Sequence, residues 1–204
     1  MAIALTISGS PASPKVDPAA ARVLNNAALA ALRLPDGAPR PDQFVYTKMK
    51  NSDGSQYQSW LSVDGTRSGL VRGADGGQTI TVAGCRNGRR LVHPQDNPNA
   101  PPVWQACVQT PAYFPDMPTS PAAMQSYLEK TFGARPGDPA YLTDMEKGIN
   151  ELLTQAYLSS GQRAALYELM AKTPALPSYR MWPTLSDATA SASPSRHPEA
   201  AAGW

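Results

Sequence analysis

Three turn signals between Asp42 and Val82 constrain this chain more than anything else in it. They are Asp53-Gly54, Asp64-Gly65 and the run Gly73 to Gly77, GADGG. Asp-Gly supplies the positive φ angles that two-residue hairpin connections require. The intervals between the turns have strand length. They predict a four-stranded antiparallel meander over Phe44 to Lys50, Gln56 to Val63, Thr66 to Arg72 and Gln78 to Val82. Side chains alternate across a strand with period two. Phe44, Tyr46 and Lys48 therefore share one face of the first strand, and Val45, Thr47 and Met49 the other. In the second, Tyr57, Ser59, Leu61 and Val63 oppose Gln56, Gln58, Trp60 and Ser62. Large groups occur on both faces, so neither is plainly the wet side of a sheet. Two arrangements stay open: a sheet sandwiched between helices and a loop, or one with a face on helices and a face lining an apolar cavity.

The rest of the ordered chain reads as helix. Asp17-Pro18 pairs a cap residue with a proline at the first helical position, where its missing N–H costs nothing. That helix should run to Leu34, with Val23, Ala27, Ala30, Ala31 and Leu34 as its apolar face. Ser120-Pro121 starts a second, which ends near Phe132-Gly133 and carries Met124, Tyr127 and Leu128. Asp138-Pro139 repeats the start, followed by Leu142, Met145, Ile149, Leu152, Leu153 and Ala156 at spacings of one, three and four. Ser159 or Ser160 caps the last, whose stripe is Leu166, Leu169 and Met170. These stripes read as core faces. The expected fold is α+β: a curved antiparallel meander packed with an N-terminal helix and a cluster of three later helices.

Between meander and helices, Cys85 to Thr119 shows no periodicity and many prolines. The chain has 21 prolines, about twice the usual share, so irregular structure is expected there. Trp104, Tyr113 and Phe114 point to a loop that covers the sheet. Cys85 and Cys107 are the two cysteines, and no CxxC or His/Cys cluster accompanies them. A disulfide is the favoured reading. It would staple the loop, contribute roughly 3 kcal/mol through the unfolded state and place the domain outside the cytoplasm. The alternative is a pair of unbridged buried thiols in a cytoplasmic protein.

The expected organisation is residues 1–16 as an apolar segment and linker, 17–176 as the folded domain, and 177–204 as a disordered tail. The opening run, MAIALTIS, lacks the basic flank of a signal peptide. It is also shorter than the roughly 20 apolar residues that cross a bilayer. Residues after Thr173 turn Ala/Ser/Pro-rich, with one short strand expected over Tyr179 to Trp182.

Chemistry-bearing patterns are few. Charged residues make up 17% of the chain and net charge is +2, which is not the basic stripe of a nucleic-acid binder. Of the two histidines, His93 falls in the loop and His197 in the tail. There is no G-x-S-x-G elbow, HExxH, phosphate loop or dinucleotide fingerprint. The aspartates at 53, 64 and 75 sit in turns, where backbone geometry accounts for them. No catalytic residue, metal ligand or cofactor is assigned.

The pieces DQFVYTKMK, WLSVDGTRSGLVRG (from Trp60), PAYFPDMPTSPAAMQSYLEK (from Pro111) and SSGQRAALYELMAKTPAL (from Ser159) carry a resemblance. Together they resemble a group of uncharacterised actinobacterial single-span membrane proteins with an extracytoplasmic domain, over Ala19 to Leu176. The domain is more loosely similar to the curved half-barrel of bacterial lipoprotein carriers and periplasmic sigma-regulator sensors. There a concave sheet covers helices and holds an acyl chain. The resemblance implies a non-enzymatic extracytoplasmic domain that binds or senses an apolar ligand or lipid, or an envelope or regulatory protein. Phe44, Tyr46, Trp60, Leu61 and Trp104 are then the expected cavity-lining groups. A soluble lipid or lipoprotein carrier is the close alternative and an enzyme the distant one. The chain departs from the group at both ends. The membrane span is reduced at most to Met1 to Ile7, and the strands expected after Leu176 are replaced by the Ala/Ser/Pro run. The half-barrel should therefore be incomplete, with an unpaired edge.

Overall fold

The computed structural model describes residues 16–50, 54–73, 77–94, 97, 99–174 and 189–193. The N-terminal apolar run, the 179–182 strand and His197 lie outside the described residues. Helix α1 (Pro18–Ala31) precedes a meander of β1 (Phe44–Lys50), β2 (Gln56–Ser62), β3 (Gly69–Arg72) and β4 (Thr79–Val82). A separate hairpin follows, β5 (Arg89–Val92) and β6 (Val103–Ala106). Helices α2 (Pro121–Phe132), α3 (Tyr141–Gln155) and α4 (Ser160–Lys172) come next, then β7 (Thr189–Ser193). The fold is α+β, with a sheet that does not close into a barrel. Its order is β4-β3-β2-β1-β7, all neighbours antiparallel.

Local chemistry explains where the helices begin. Asp17 accepts the Ala19 N–H at 2.8 Å at the start of α1. Ser159 closes a capping box with Gln162 at the start of α4. Asp138 acts differently from expectation. It bonds the Ala140 N–H, and α3 begins only at Tyr141, two residues beyond the proline.

The main core is helical. Met124, Leu128, Met145, Ile149 and Leu166 are its best-buried large side chains, and α4 sits at its centre. Gln162 of α4 is buried too. Its side-chain N–H groups bond the carbonyls of Phe114 and Met117, and its oxygen accepts the Ser159 N–H. Helix α1 lies on α4, away from the sheet, and buries Leu24, Ala28 and Ala31. The expected stripe holds at Ala31, and Ala27 packs against this core, but Val23 and Leu34 are exposed and Leu24 and Ala28 are buried in their stead. In so alanine-rich a helix, two neighbouring stripes have nearly equal apolar character, and packing on α4 selects between them.

Two further expectations are corrected. The Cys85–Thr119 stretch contains the β5–β6 hairpin, and Trp104 on it is exposed, so this part of the stretch does not cover the sheet. And the tail is not wholly without structure: β7 pairs with β1, Phe44 opposite Ser193 and Lys48 opposite Thr189. A ladder is built from backbone groups. Thr-Ala-Ser-Ala-Ser lacks the Pro and Gly that weaken one, so Val/Ile alternation is not needed.

Candidate functional site

The strand register assigns the two faces of the sheet. Val45, Thr47 and Met49 lie opposite Leu61, Ser59 and Tyr57. Ser59 lies opposite Val71, and Val71 opposite Ile80. This is the apolar face. At its Val45–Leu61 end it is closed by Ala112, Tyr113 and Tyr157, which form a small second core with Val63. Further along, the face and the last turn of α3 bound a cleft of about 230 Å³. Thr47, Met49, Ser59, Leu61 and Val71 form one wall, Thr154 and Gln155 the other. Tyr57 and Val82, both exposed, stand at its rim.

One atom in the cleft is anomalous. Thr47 is only 3% exposed, and its hydroxyl oxygen has no hydrogen-bond partner. Buried side-chain polar atoms in native proteins are nearly always paired. Leaving one unpaired costs about 1–3 kcal/mol.

The residues singled out from sequence are distributed as follows. Leu61 lines this cleft. Phe44, Tyr46 and Trp60 belong to the opposite face. There Tyr46 and Trp60 pack against each other as cross-strand partners, ring centroids 5.1 Å apart, and the Arg72 guanidinium lies 5.8 Å from the Trp60 ring centroid. Such a stack is ordinary cross-strand and cation–π stabilisation. Trp104 is on the β5–β6 hairpin. The five do not form one site. Thr47, Met49, Ser59 and Val71 were not singled out, because only a register shows which residues of separate strands share a face.

Cys85 and Cys107 form the disulfide, with Cα atoms 6.0 Å apart. A structural disulfide indicates an oxidising environment. Among the described residues no helix is long and apolar enough to cross a membrane.

The WLSVDGTR segment proves to be scaffolding. The Asp64 carboxylate accepts from the Ser62 hydroxyl at 2.8 Å, the Thr66 N–H at 2.9 Å and the Thr66 hydroxyl. Burial alone would push the Asp64 carboxyl up, but these hydrogen bonds outweigh it and hold it below the ordinary carboxylate range. Gly65 has φ 74°, and a Cβ there would stand 2.6 Å from the Thr110 carbonyl oxygen. Its own carbonyl accepts the Cys85 N–H at 2.9 Å. The turn therefore anchors the base of the disulfide-linked hairpin.

A second concavity, about 300 Å³, lies among α2, α3 and α4. Two of its polar groups are tied to Glu129 nearby: the Tyr141 hydroxyl donates to Glu129 at 2.8 Å, and Gln125 donates to both. The buried polar atom without a partner thus lies in the wall of the smaller cleft and not in this larger space. Among the described residues no group of three His, Cys, Asp or Glu is placed to hold a metal ion. No protein-family model, curated protein or solved structure matches the chain.

Proposed function

We propose that this is an extracytoplasmic, non-enzymatic domain of a membrane-associated protein that binds an apolar ligand in the cleft between the sheet and α3. The carrying observation is the unpartnered Thr47 hydroxyl in a wall that also presents Met49, Leu61 and Val71. A ligand that sets an apolar body against Met49, Leu61 and Val71, and one hydrogen-bonding atom where a turn about χ1 brings the Thr47 hydroxyl into the cleft, answers both features. Size narrows the class. A cavity of about 150 Å³ takes a benzene ring, and drug-sized sites begin near 300 Å³. At about 230 Å³ the cleft suits one short acyl chain or one substituted ring. The groups that line it are neutral hydrogen bonders and apolar side chains, with Tyr57 at the rim as the one ionisable residue, which favours binding over catalysis. The disulfide supports the extracytoplasmic setting.

Decanoic acid is a suitable probe. Native mass spectrometry and ligand-observed NMR should show saturable one-to-one binding, lost in Val71→Trp, which fills the cleft, and weakened in Thr47→Val. Absence of binding, or equal binding by all three proteins, overturns the reading.

A further inference from the structure

We propose that the β5–β6 hairpin is an arm that docks on an anionic phospholipid surface. Its apolar side chains face water. Leu91 is 44% exposed, Val103 43%, Trp104 60% and the neighbouring Val108 87%. They occupy both faces of the ribbon: Leu91 pairs with Trp104 on one, Val92 with Val103 on the other. A protein partner with an ordinary interface covers one face of a ribbon. A layer of lipid headgroups surrounds an inserted ribbon on all sides, and that is the pattern of exposure seen here.

Charge selects the kind of surface. Arg86, Arg89 and Arg90 are exposed at the hairpin's base and first strand. Between Gly84 and Thr110 the sequence has a single acidic residue, Asp96. The Arg89 guanidinium lies 5.8 Å from the centroid of the Trp104 ring, which sets a cation beside an amphipathic indole. Tryptophan favours the headgroup level of a bilayer, and arginine keeps its head in the phosphate layer while its stem lies along apolar surface. The arm is also held in place. The Cys85–Cys107 bridge and the bond from the Cys107 N–H to the Gly88 carbonyl, 2.9 Å, close its base, and Cys85 is tied to Gly65 of the sheet. A docking element fixed in this way costs little ordering entropy on binding.

The test is co-sedimentation of the full, disulfide-intact protein with phosphatidylcholine vesicles, with and without phosphatidylglycerol. Binding is expected to the anionic vesicles alone and to weaken with added salt. Replacing all three arginines (Arg86→Gln, Arg89→Gln, Arg90→Gln) should weaken it by roughly 100-fold. Trp104→Ser should weaken it with the charge unchanged. These side chains are exposed, so both variants should fold, as circular dichroism and thiol counting will show. No binding to anionic vesicles at low salt, equal binding to pure phosphatidylcholine, or unchanged binding by the arginine variant overturns the proposal. The decanoic acid titration reads the cleft independently of all these outcomes.

Discussion

At the scale of single residues, a hydroxyl buried in a cleft wall without a partner is a standing cost of about 1–3 kcal/mol, and Thr47 carries one. Valine keeps the shape and the preference for a strand. Thr47→Val should therefore raise stability by about 1 kcal/mol in urea denaturation without added ligand, while it weakens decanoic acid binding. A stabilising change that harms binding is the signature of a residue kept for function; loss of stability would show that the hydroxyl has a partner after all. Asp64 makes a prediction in pH. Its folded carboxyl lies below the ordinary range, so between folded and unfolded values the unfolded chain binds more protons. Its contribution is fully present above the unfolded value of about 3.9 and is lost as pH falls through the folded one. Asp64→Asn should lower Tm at pH 6, and the gap to wild type should close below the ordinary carboxylate range. A gap independent of pH would remove the carboxylate from the explanation.

At the scale of elements, the hairpin arm depends on its bridge. The two cysteines are 22 residues apart in sequence, and closing a loop of that length is worth about 3 kcal/mol. Cys85→Ser with Cys107→Ser should lose about that much in urea denaturation; a loss near zero would mean that the arm's order does not matter to the rest. Elements built on local signals were legible in the sequence. The Asp17-Pro18 and Ser120-Pro121 pairs act within a few residues, so α1 and α2 begin where the sequence places them. Asp138-Pro139 does not open α3, and Asp64-Gly65 sits in a wider connection than a two-residue turn, since Trp60 pairs with Leu70. Elements that depend on partners were not legible. Strands β5 and β6 are four residues each and are separated by a proline-rich tip, which hides alternation. The face that α1 buries is chosen by α4. The cleft was legible only as Leu61, since its other wall residues are brought together by register and by α3.

At the scale of the whole molecule, stability is unevenly spread. The helical core is continuous from α1 to α4, whereas the sheet rests on the few residues around Val45, Val63 and Ala112. All four residues of β4 are exposed. Native-state hydrogen exchange should find the slowest amides in α2 and α4, and opening free energies that fall from β1 outward to β4. Uniform protection across sheet and helices would contradict this division.

One extended strip joins the halves. The Ala112 N–H bonds the Ser62 carbonyl at 3.1 Å, and the Ala112 carbonyl accepts the Tyr157 N–H at 2.7 Å. Ser62 follows Leu61 on one wall of the cleft, and Tyr157 lies just past Gln155 on the other. The strip is thus a spacer gauge. The separation of the cleft's two walls is held by a backbone segment that is not part of its lining, so changes confined to Pro111 to Phe114 should alter the width of the cleft without replacing any residue that lines it.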